Sequence, residues 1–365
     1  MAHLIEINNG VASYVENGRK ERAWHGLGQV YDGEICVKEA LELSHADYQV
    51  EMRNVFAMTP ALQELLDSDV TMIQKEELSD LIVDALVDGR KATMRMDKSV
   101  ALGVVSEHYG IVQNRDAFDF IDTLCSGGQK NTPVIECAGV LGKGERVFIT
   151  AKFPEQIILD NKTDDRVDMY IVFTTSHDGT GAVNCMVTPT RVVCNNTLNY
   201  AMRNNAGKIS LRHTSGINNR LDLTRKENAE FAYRTLHLYD VYKKSLEESF
   251  AHLRNIKVSE KELDDILAQV LLSENNLKIY RENGINHADI SSIGRNTFFG
   301  VKQAMEVGIG QDIQERGTAL WALNGITTYF QNTKNYTSEE KKFDSVLNGH
   351  AAHKLQQAYD LLIAV

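Results

Sequence analysis

A chain of 365 residues, 43% hydrophobic and 24% charged, has the composition of a globular protein and is long enough for two domains of ordinary size. No apolar run approaches the roughly 20 residues that cross a bilayer, and the first ten residues lack the features of a secretory signal, so we expect a cytoplasmic protein without membrane association. The net charge of -11, taken by itself, argues against nucleic-acid binding.

The first 90 residues predict a turn, a helix, a strand and a helical excursion. Residues 24–28 read Trp-His-Gly-Leu-Gly, which is typical of a sharp turn that buries the tryptophan under a sheet. A short helix near Val37–Leu43 precedes a strand over residues 48–58. Residues 61–88 carry leucines at helical spacing and predict an acidic helical excursion from the main sheet.

The segment from residue 91 to residue 190 has the strongest β signal. Three hairpins are predicted, pairing 91–96 with 100–105, 134–141 with 146–153, and 169–175 with 182–188. Between the first two, a short strand at 110–113 leads into a helix at 115–125. Consecutive hairpins favour an antiparallel sheet with helices on one face, which is the α+β class and not a doubly wound α/β fold.

Strand signals end near residue 216. A long amphipathic helix is predicted over 221–253, and Ser259 with Glu262 forms a capping box that opens a helix over 260–272. Further helices are predicted near 288–307, 315–330 and 349–363. We therefore predict an α+β domain over residues 1–215, which includes the acidic excursion at 61–88, and a helical domain over residues 216–365.

Charge is unevenly distributed along the chain. The excursion is acidic, with Glu64, Asp67, Asp69, Glu76, Glu77, Asp80, Asp84 and Asp88 against Lys75 and Arg90. A later stretch is basic, with Arg203, Lys208, Arg212, Arg220, Arg225 and Lys226 against Asp222. In an acidic chain, a basic stretch of this kind suggests a polyanion site, although the same residues could simply solvate a helix start and a loop.

The junction at residues 188–201 is the strongest candidate for an anion site. Pro189 ends a strand, and Asn195 or Asn196 can cap the helix that should follow. The free N–H groups of that helix, together with Arg191, would attract a phosphate or a carboxylate. The alternative is that Arg191 pairs with a buried acid and the asparagines only cap the helix.

Other polar patterns do not predict a catalytic or metal site. Ser176, His177 and Asp178 are consecutive and lie next to glycines, which indicates a hairpin turn and not a catalytic triad assembled from distant positions. The five cysteines form no C-x-x-C pair and no Cys/His spacing typical of zinc, so they are expected to be reduced core residues. We predict no catalytic residue, no metal and no cofactor.

Four motifs occur in order along nearly the whole chain. They are Trp-His-Gly-Leu-Gly at 24–28, Tyr-Gly-Ile-Val-Gln-Asn at 109–114, Arg-Val-Val-Cys-Asn-Asn-Thr-Leu at 191–198 and Ala-Leu-Asn-Gly-Ile-Thr at 322–327. Together they resemble the phage/plasmid-like protein family, whose function is unassigned. The acidic 61–88 segment and the sequence at 322–326 depart from that family pattern. The resemblance implies a setting on a mobile element and no particular activity.

The first functional hypothesis is a non-enzymatic binder that anneals or protects single-stranded DNA, or that holds another polyanion. Tyr200 and His213 would stack on bases, as single-strand binders require, and a homo-oligomeric ring would align the basic stretches of an acidic subunit. The predicted contact residues are Arg191, Asn195, Asn196, Tyr200, Arg203, Lys208, Arg212, His213 and Arg220.

Two alternatives remain open. One is a protein-interaction factor, acting in host takeover or anti-defence, whose acidic 61–88 surface mimics nucleic acid. The other is a nucleotide- or nucleic-acid-processing enzyme in which Arg191 holds a phosphate, although no convincing general base is found.

Overall fold

The computed structural model of the chain describes residues 4–18, 22–23, 25–67, 75–125, 132–160, 165–189, 208–214, 225–308, 315–338, 341–342, 345–346 and 349–365. Its strands are β1 Ile7–Asn8, β2 Val11–Ala12, β3 Tyr14–Asn17, β4 Gln29–Tyr31, β5 Val50–Phe56, β6 Leu86–Arg95, β7 Val100–Ser106, β8 Val134–Leu141, β9 Arg146–Lys152, β10 Ile157–Asp160, β11 Asp165–Val167, β12 Tyr170–Ser176, β13 Val183–Thr188 and β14 Lys208–Leu211. The helices are α1 Val37–Leu43, α2 Pro60–Asp67, α3 Lys75–Ala85, α4 Asn114–Cys125, α5 Arg225–Asn255, α6 Glu260–Leu271, α7 Glu274–Asn283, α8 Ser292–Val307, α9 Ala319–Thr328 and α10 His350–Leu362. The predicted α+β class is confirmed.

The main sheet has seven strands in the order β14-β13-β12-β9-β8-β3-β4. Its neighbouring strands are antiparallel, except that β3 and β4 run parallel. Every residue of β12 and β13 is buried, since both faces of the sheet centre are covered. Their sequences therefore lack the regular alternation of apolar and polar residues that a half-exposed sheet shows, and the polar residues Thr174, Thr175 and Asn184 are buried with the apolar ones.

Helices α1, α4 and α5 pack on one face of the main sheet, as predicted. Leu41 of α1 and Phe118 of α4 are fully buried in the same core as Phe173 of β12. The ring of Phe153, just beyond β9, lies 4.4 Å from the ring of Tyr239 on α5. This contact fixes the first half of the long helix to the sheet.

The N-terminal segment covers part of the opposite face. Tyr14, Phe148 and Val172 form a small core there with residues of the first strands. Gly28 has a φ of +83°, and a Cβ at this position would lie 2.2 Å from the carbonyl oxygen of Tyr14. The predicted 24–28 turn thus lies against the sheet, and His25 contacts Tyr14 edge-on at 4.8 Å. Trp24 itself is outside the described residues.

A separate sheet is formed by β5, β6 and β7. The expectation that the first hairpin belongs to the main sheet is therefore wrong. At Gly103 of β7 a Cβ would lie 2.6 Å from the Cα of Asp178, so the small sheet packs closely on the β12–β13 turn. This contact joins positions 75 residues apart, so the local sequence does not predict it.

Two predicted boundaries also need correction. Residues 110–113 form no strand, and this stretch contributes an isolated bridge between Tyr109 and Thr214. The helical part of the excursion ends at Ala85, because Leu86 pairs with Phe56 and starts β6. Residues 68–74 of the excursion are not among those described.

The C-terminal third is helical, as predicted, and has its own core built around Phe298, Trp321 and Phe330. The capping box is confirmed, with the Glu262 N–H donating to Ser259 Oγ over 3.3 Å and the Ser259 N–H donating to Glu262 Oε2 over 2.9 Å. Helix α7 was not predicted. Within the described residues, no helix combines the length and the apolar character that crossing a membrane requires.

Helix α5 contributes to both cores. Its Tyr239 is buried in the sheet core, and its Leu253 is buried in the helical core. The predicted division of the chain at residue 216, close to the start of this helix, stays a prediction.

Candidate functional site

Three of the nine predicted contact residues lie within the described part of the chain, namely Lys208, Arg212 and His213. The others fall outside it and are Arg191, Asn195, Asn196, Tyr200, Arg203 and Arg220. The proposed roles of the strand-to-helix junction, as an anion site or in an enzyme, therefore stay predictions.

Strand β14, at one edge of the main sheet, alternates apolar and polar residues. Ile209 and Leu211 pack on the core beneath the helices. Lys208 and Arg212 are exposed, and Lys208 is the cross-strand partner of Met186, whose side chain is on the opposite face of the sheet from the helices. Neither cation forms an ion pair with a carboxylate of the described residues, so their charge is uncompensated within that part of the chain.

His213 follows Arg212 and is buried. Its Nδ1 lies 3.1 Å from the carbonyl oxygen of Gly110, and its ring stacks on Tyr109 at 4.9 Å with an interplanar angle of 11°. Tyr109 in turn donates to the carbonyl oxygen of Ser176. Because Tyr109 covers one face of the imidazole, only the other face is left for a base, and stacking by His213 stays a prediction.

His177 is a second buried histidine in the same region. Its Nε2 lies 2.7 Å from Asn114 Oδ1, and Asn114 donates through Nδ2 to the carbonyl oxygen of Ala46, which fixes the orientation of the amide. The proton of His177 is therefore on Nε2, whereas that of His213 is on Nδ1. The other nitrogen of each ring has no hydrogen-bond partner among the described residues. Each ring thus presents a bare acceptor nitrogen.

Both imidazoles are neutral at neutral pH. Burial lowers the pKa of His177 to about 3, and the nearby His213 adds to this effect. Burial also lowers the pKa of His213, against the opposing influence of the Gly110 carbonyl and Asp178. A pair of neutral acceptors cannot attract a phosphate, so the histidines are not the anion-binding part of this region.

The Ser-His-Asp run forms a turn, as predicted. The Ser176 hydroxyl and the Thr180 backbone N–H both donate to Asp178 Oδ1. Ser176 therefore bonds to the carboxylate and not to His177, and the geometry of a nucleophile with its base is missing here. In the described part of the chain, no group of three or more His, Cys, Asp or Glu residues is arranged to hold a metal ion.

A cluster of charges around the buried Arg95 and Glu6, which the sequence did not predict, joins the small sheet to the N-terminal segment. Arg95 of β6 is 1% exposed. Its Nη1 lies 2.9 Å from Glu6 Oε1, its Nε lies 2.8 Å from Asp97 Oδ1, and its guanidinium lies 3.8 Å from the centre of the Tyr48 ring. Lys98 also contacts Glu6, at 2.7 Å.

This cluster is closed to a further anion. Burial alone would raise the pKa of Glu6, but hydrogen bonds from Lys98, Ser13 and Arg95 outweigh that effect and lower it. All charges in the cluster are matched by neighbours of opposite sign. We interpret it as a structural link between the small sheet and the N-terminal segment. Removing either partner of the buried Arg95–Glu6 pair would leave an unpaired buried charge, which is strongly destabilising.

Comparison with known proteins identifies the family. The model of a domain of unknown function, DUF932, matches residues 101–351, which run from β7 into α10. The chain belongs to the DUF932 family. Neither curated proteins nor solved structures give a match. The DUF932 match includes β14 and most of the helical core, whereas the 24–28 turn, the acidic excursion and part of the sheet core precede it.

Proposed function

We propose that this DUF932 protein is a nucleic-acid-binding protein of a phage or plasmid, which holds single-stranded DNA for annealing or protection in the cytoplasm and catalyses no reaction. The observation that carries the proposal is a pair of exposed cations, Lys208 at the start of β14 and Arg212 directly after its end. They lie within the basic stretch of an otherwise acidic chain.

The geometry of β14 supports a polyanion track. The partly buried Ile209 and Leu211 anchor the strand to the core, and the exposed Lys208 and Arg212 lie before and after them. At a rise of about 3.4 Å per residue, the four steps from Lys208 to Arg212, one position beyond β14, span roughly 14 Å. Two uncompensated charges at that spacing suit an extended, multiply charged ligand better than a single small anion.

Oligomerisation would extend this track. One protomer of net charge -11 presents a short basic surface, whereas a ring of copies would place successive basic stretches along one path. The mobile-element setting rests on the four motifs, three of which lie within the DUF932 match.

The test is the binding of a labelled oligothymidine, followed by fluorescence anisotropy at several salt concentrations. A protomer that contacts about four phosphates should give a slope of log K against log salt near -3, from about -0.7 per phosphate. The double variant Lys208→Glu and Arg212→Glu should bind more weakly, and its slope should be reduced by about 1.4.

The matched control reverses two exposed cations on the C-terminal helices, Lys261→Glu and Lys278→Glu. It carries the same change in net charge and should bind almost as tightly as the parent. Absence of binding at micromolar protein in low salt would overturn the proposal, as would equal losses in the two double variants.

A further inference from the structure

The base of the acidic excursion carries a group of exposed apolar side chains. Phe56 and Met58 lie at and just beyond the end of β5, and Ile82, Val83 and Leu86 lie where α3 passes into β6. Val83 is 67% exposed and Met58 is 61% exposed. We call these five residues the excursion patch.

Part of the excursion patch rests on paired backbone. Phe56 and Leu86 are cross-strand partners, and the Ala57 N–H donates to the carbonyl oxygen of Ala85 over 2.7 Å. Ala85 is fully buried beneath this junction. Phe56 and Leu86 are therefore held side by side, and Met58, Ile82 and Val83 follow or precede them within four residues along the chain.

The rim of the patch is acidic. Four exposed carboxylates lie close to it along the chain, Glu64 on α2, Asp80 and Asp84 on α3, and Asp88 on β6, against the one exposed cation Arg90 in the described part of that segment. None of these four forms an ion pair with a basic residue in the part of the chain that the structure describes. An apolar centre with a polar rim is the usual anatomy of a protein interaction site.

The negative charge of the rim indicates which class of partner the patch would bind. Nucleic acids and anionic membranes would be repelled by the four carboxylates. A second copy of this chain, whose net charge is -11, complements an acidic rim less well than a basic segment does. A protein segment with apolar residues on one face and lysine or arginine beside them complements both the centre and the rim.

We propose that the excursion patch is the docking surface for a basic amphipathic helix of another protein. Phe56 and Met58 supply the apolar anchors, because aromatic and flexible thioether side chains dominate such contacts. The proposal goes beyond the single-strand binding proposed above and uses none of its residues. It also differs from nucleic-acid mimicry by an acidic surface, which requires charge alone.

The probe is a labelled synthetic helix of about 18 residues, five turns long, with leucines on one face and lysines on the other. Its binding to the full chain is followed by fluorescence anisotropy, with a peptide of leucine and glutamate as the comparison. We expect saturable binding of the lysine peptide only. The variant Met58→Ser/Val83→Ser should weaken it about tenfold, which corresponds to about 1.4 kcal/mol.

Charge reversal tests the contribution of the rim independently. The variant Asp80→Lys/Asp84→Lys/Asp88→Lys should also lose binding of the lysine peptide.

The matched control for the Met58→Ser/Val83→Ser variant is Ile293→Ser/Val307→Ser, since these side chains are 79% and 77% exposed on α8. That control should bind the peptide as the parent does.

The outcomes separate this proposal from the others. Unchanged peptide binding by both patch variants overturns it. A difference in oligomeric state between the parent and the Met58/Val83 variant in sedimentation also overturns it, because the patch would then bind a second copy of the chain. If the parent binds anionic vesicles and the patch variants do not, the proposal is overturned, because the patch would then bind a membrane. Patch variants should bind oligothymidine normally, and the Lys208/Arg212 variant should bind the peptide normally, so either function can fail alone.

Discussion

Individual polar residues in the core of this DUF932 protein are held in one protonation state by their neighbours. His177 shows this most clearly, since Asn114 Oδ1 accepts its Nε2 proton and burial keeps the ring neutral. An unfolded histidine titrates near pH 6.5, whereas His177 in the fold has a pKa of about 3. Between these values the unfolded chain binds a proton that the folded chain does not, so stability falls as pH falls.

We predict that His177→Gln reduces this dependence of stability on pH. Glutamine can still donate to Asn114 Oδ1 but does not titrate. Lowering the pH from 6 to 5 should cost the parent about 1 kcal/mol more than the variant, because one pKa unit corresponds to about 1.4 kcal/mol. Urea unfolding at several pH values measures the difference. The exposed His108→Gln is the control, and a parent-like slope in His177→Gln would contradict the prediction.

Secondary-structure elements could be predicted well where their signals are local. Apolar spacing predicted α4 and the later helices, and turn residues between β runs predicted the three hairpins. The capping pair Ser259 and Glu262 predicted the start of α6 to the residue. These signals lie within a few residues of the element that they specify.

We predict that Ser259→Ala destabilises the fold by about 1 kcal/mol, because the N–H of Glu262 loses its acceptor. The free energy of unfolding in urea is the measurement. Ser249→Ala is the matched control, since Ser249 lies inside α5 and donates to the carbonyl oxygen of Ser245 one turn earlier. That substitution should stay within about 0.5 kcal/mol of the parent. Equal effects at the two serines would show that the cap is not the cause.

Contacts between distant elements could not be predicted from the sequence. Arg95 joins Glu6 across 89 positions, and Gly103 approaches Asp178 across 75. Neither pair has a spacing that distinguishes it from the many other charged residues and glycines of the chain. The same holds for the candidate site. The charges of Lys208 and Arg212 could be identified from the sequence, whereas the burial of the neighbouring His213 against Tyr109 could not.

At the scale of the whole molecule, α5 links the two cores. Its Tyr239 contacts Phe153 in the sheet core, and its Leu253 is buried in the helical core. Because most of the stability of a helix in a protein comes from its packing, loss of the sheet core removes contacts that help to hold this continuous helix of 31 residues in place. A substitution that destabilises the sheet core should therefore also destabilise the helical core.

We predict that Phe153→Ala, which should cost about 3–5 kcal/mol, lowers the unfolding midpoint of the helical core as well. In a Trp24→Phe background the remaining tryptophan is Trp321, which is buried in that core and reports its unfolding by fluorescence. Ile293→Ser in the same background is the control, since it changes an exposed side chain and should leave the midpoint in place. A Trp321 transition that Phe153→Ala does not move would mean that the helical core unfolds independently, and that α5 breaks between Tyr239 and Leu253 when the sheet core is lost.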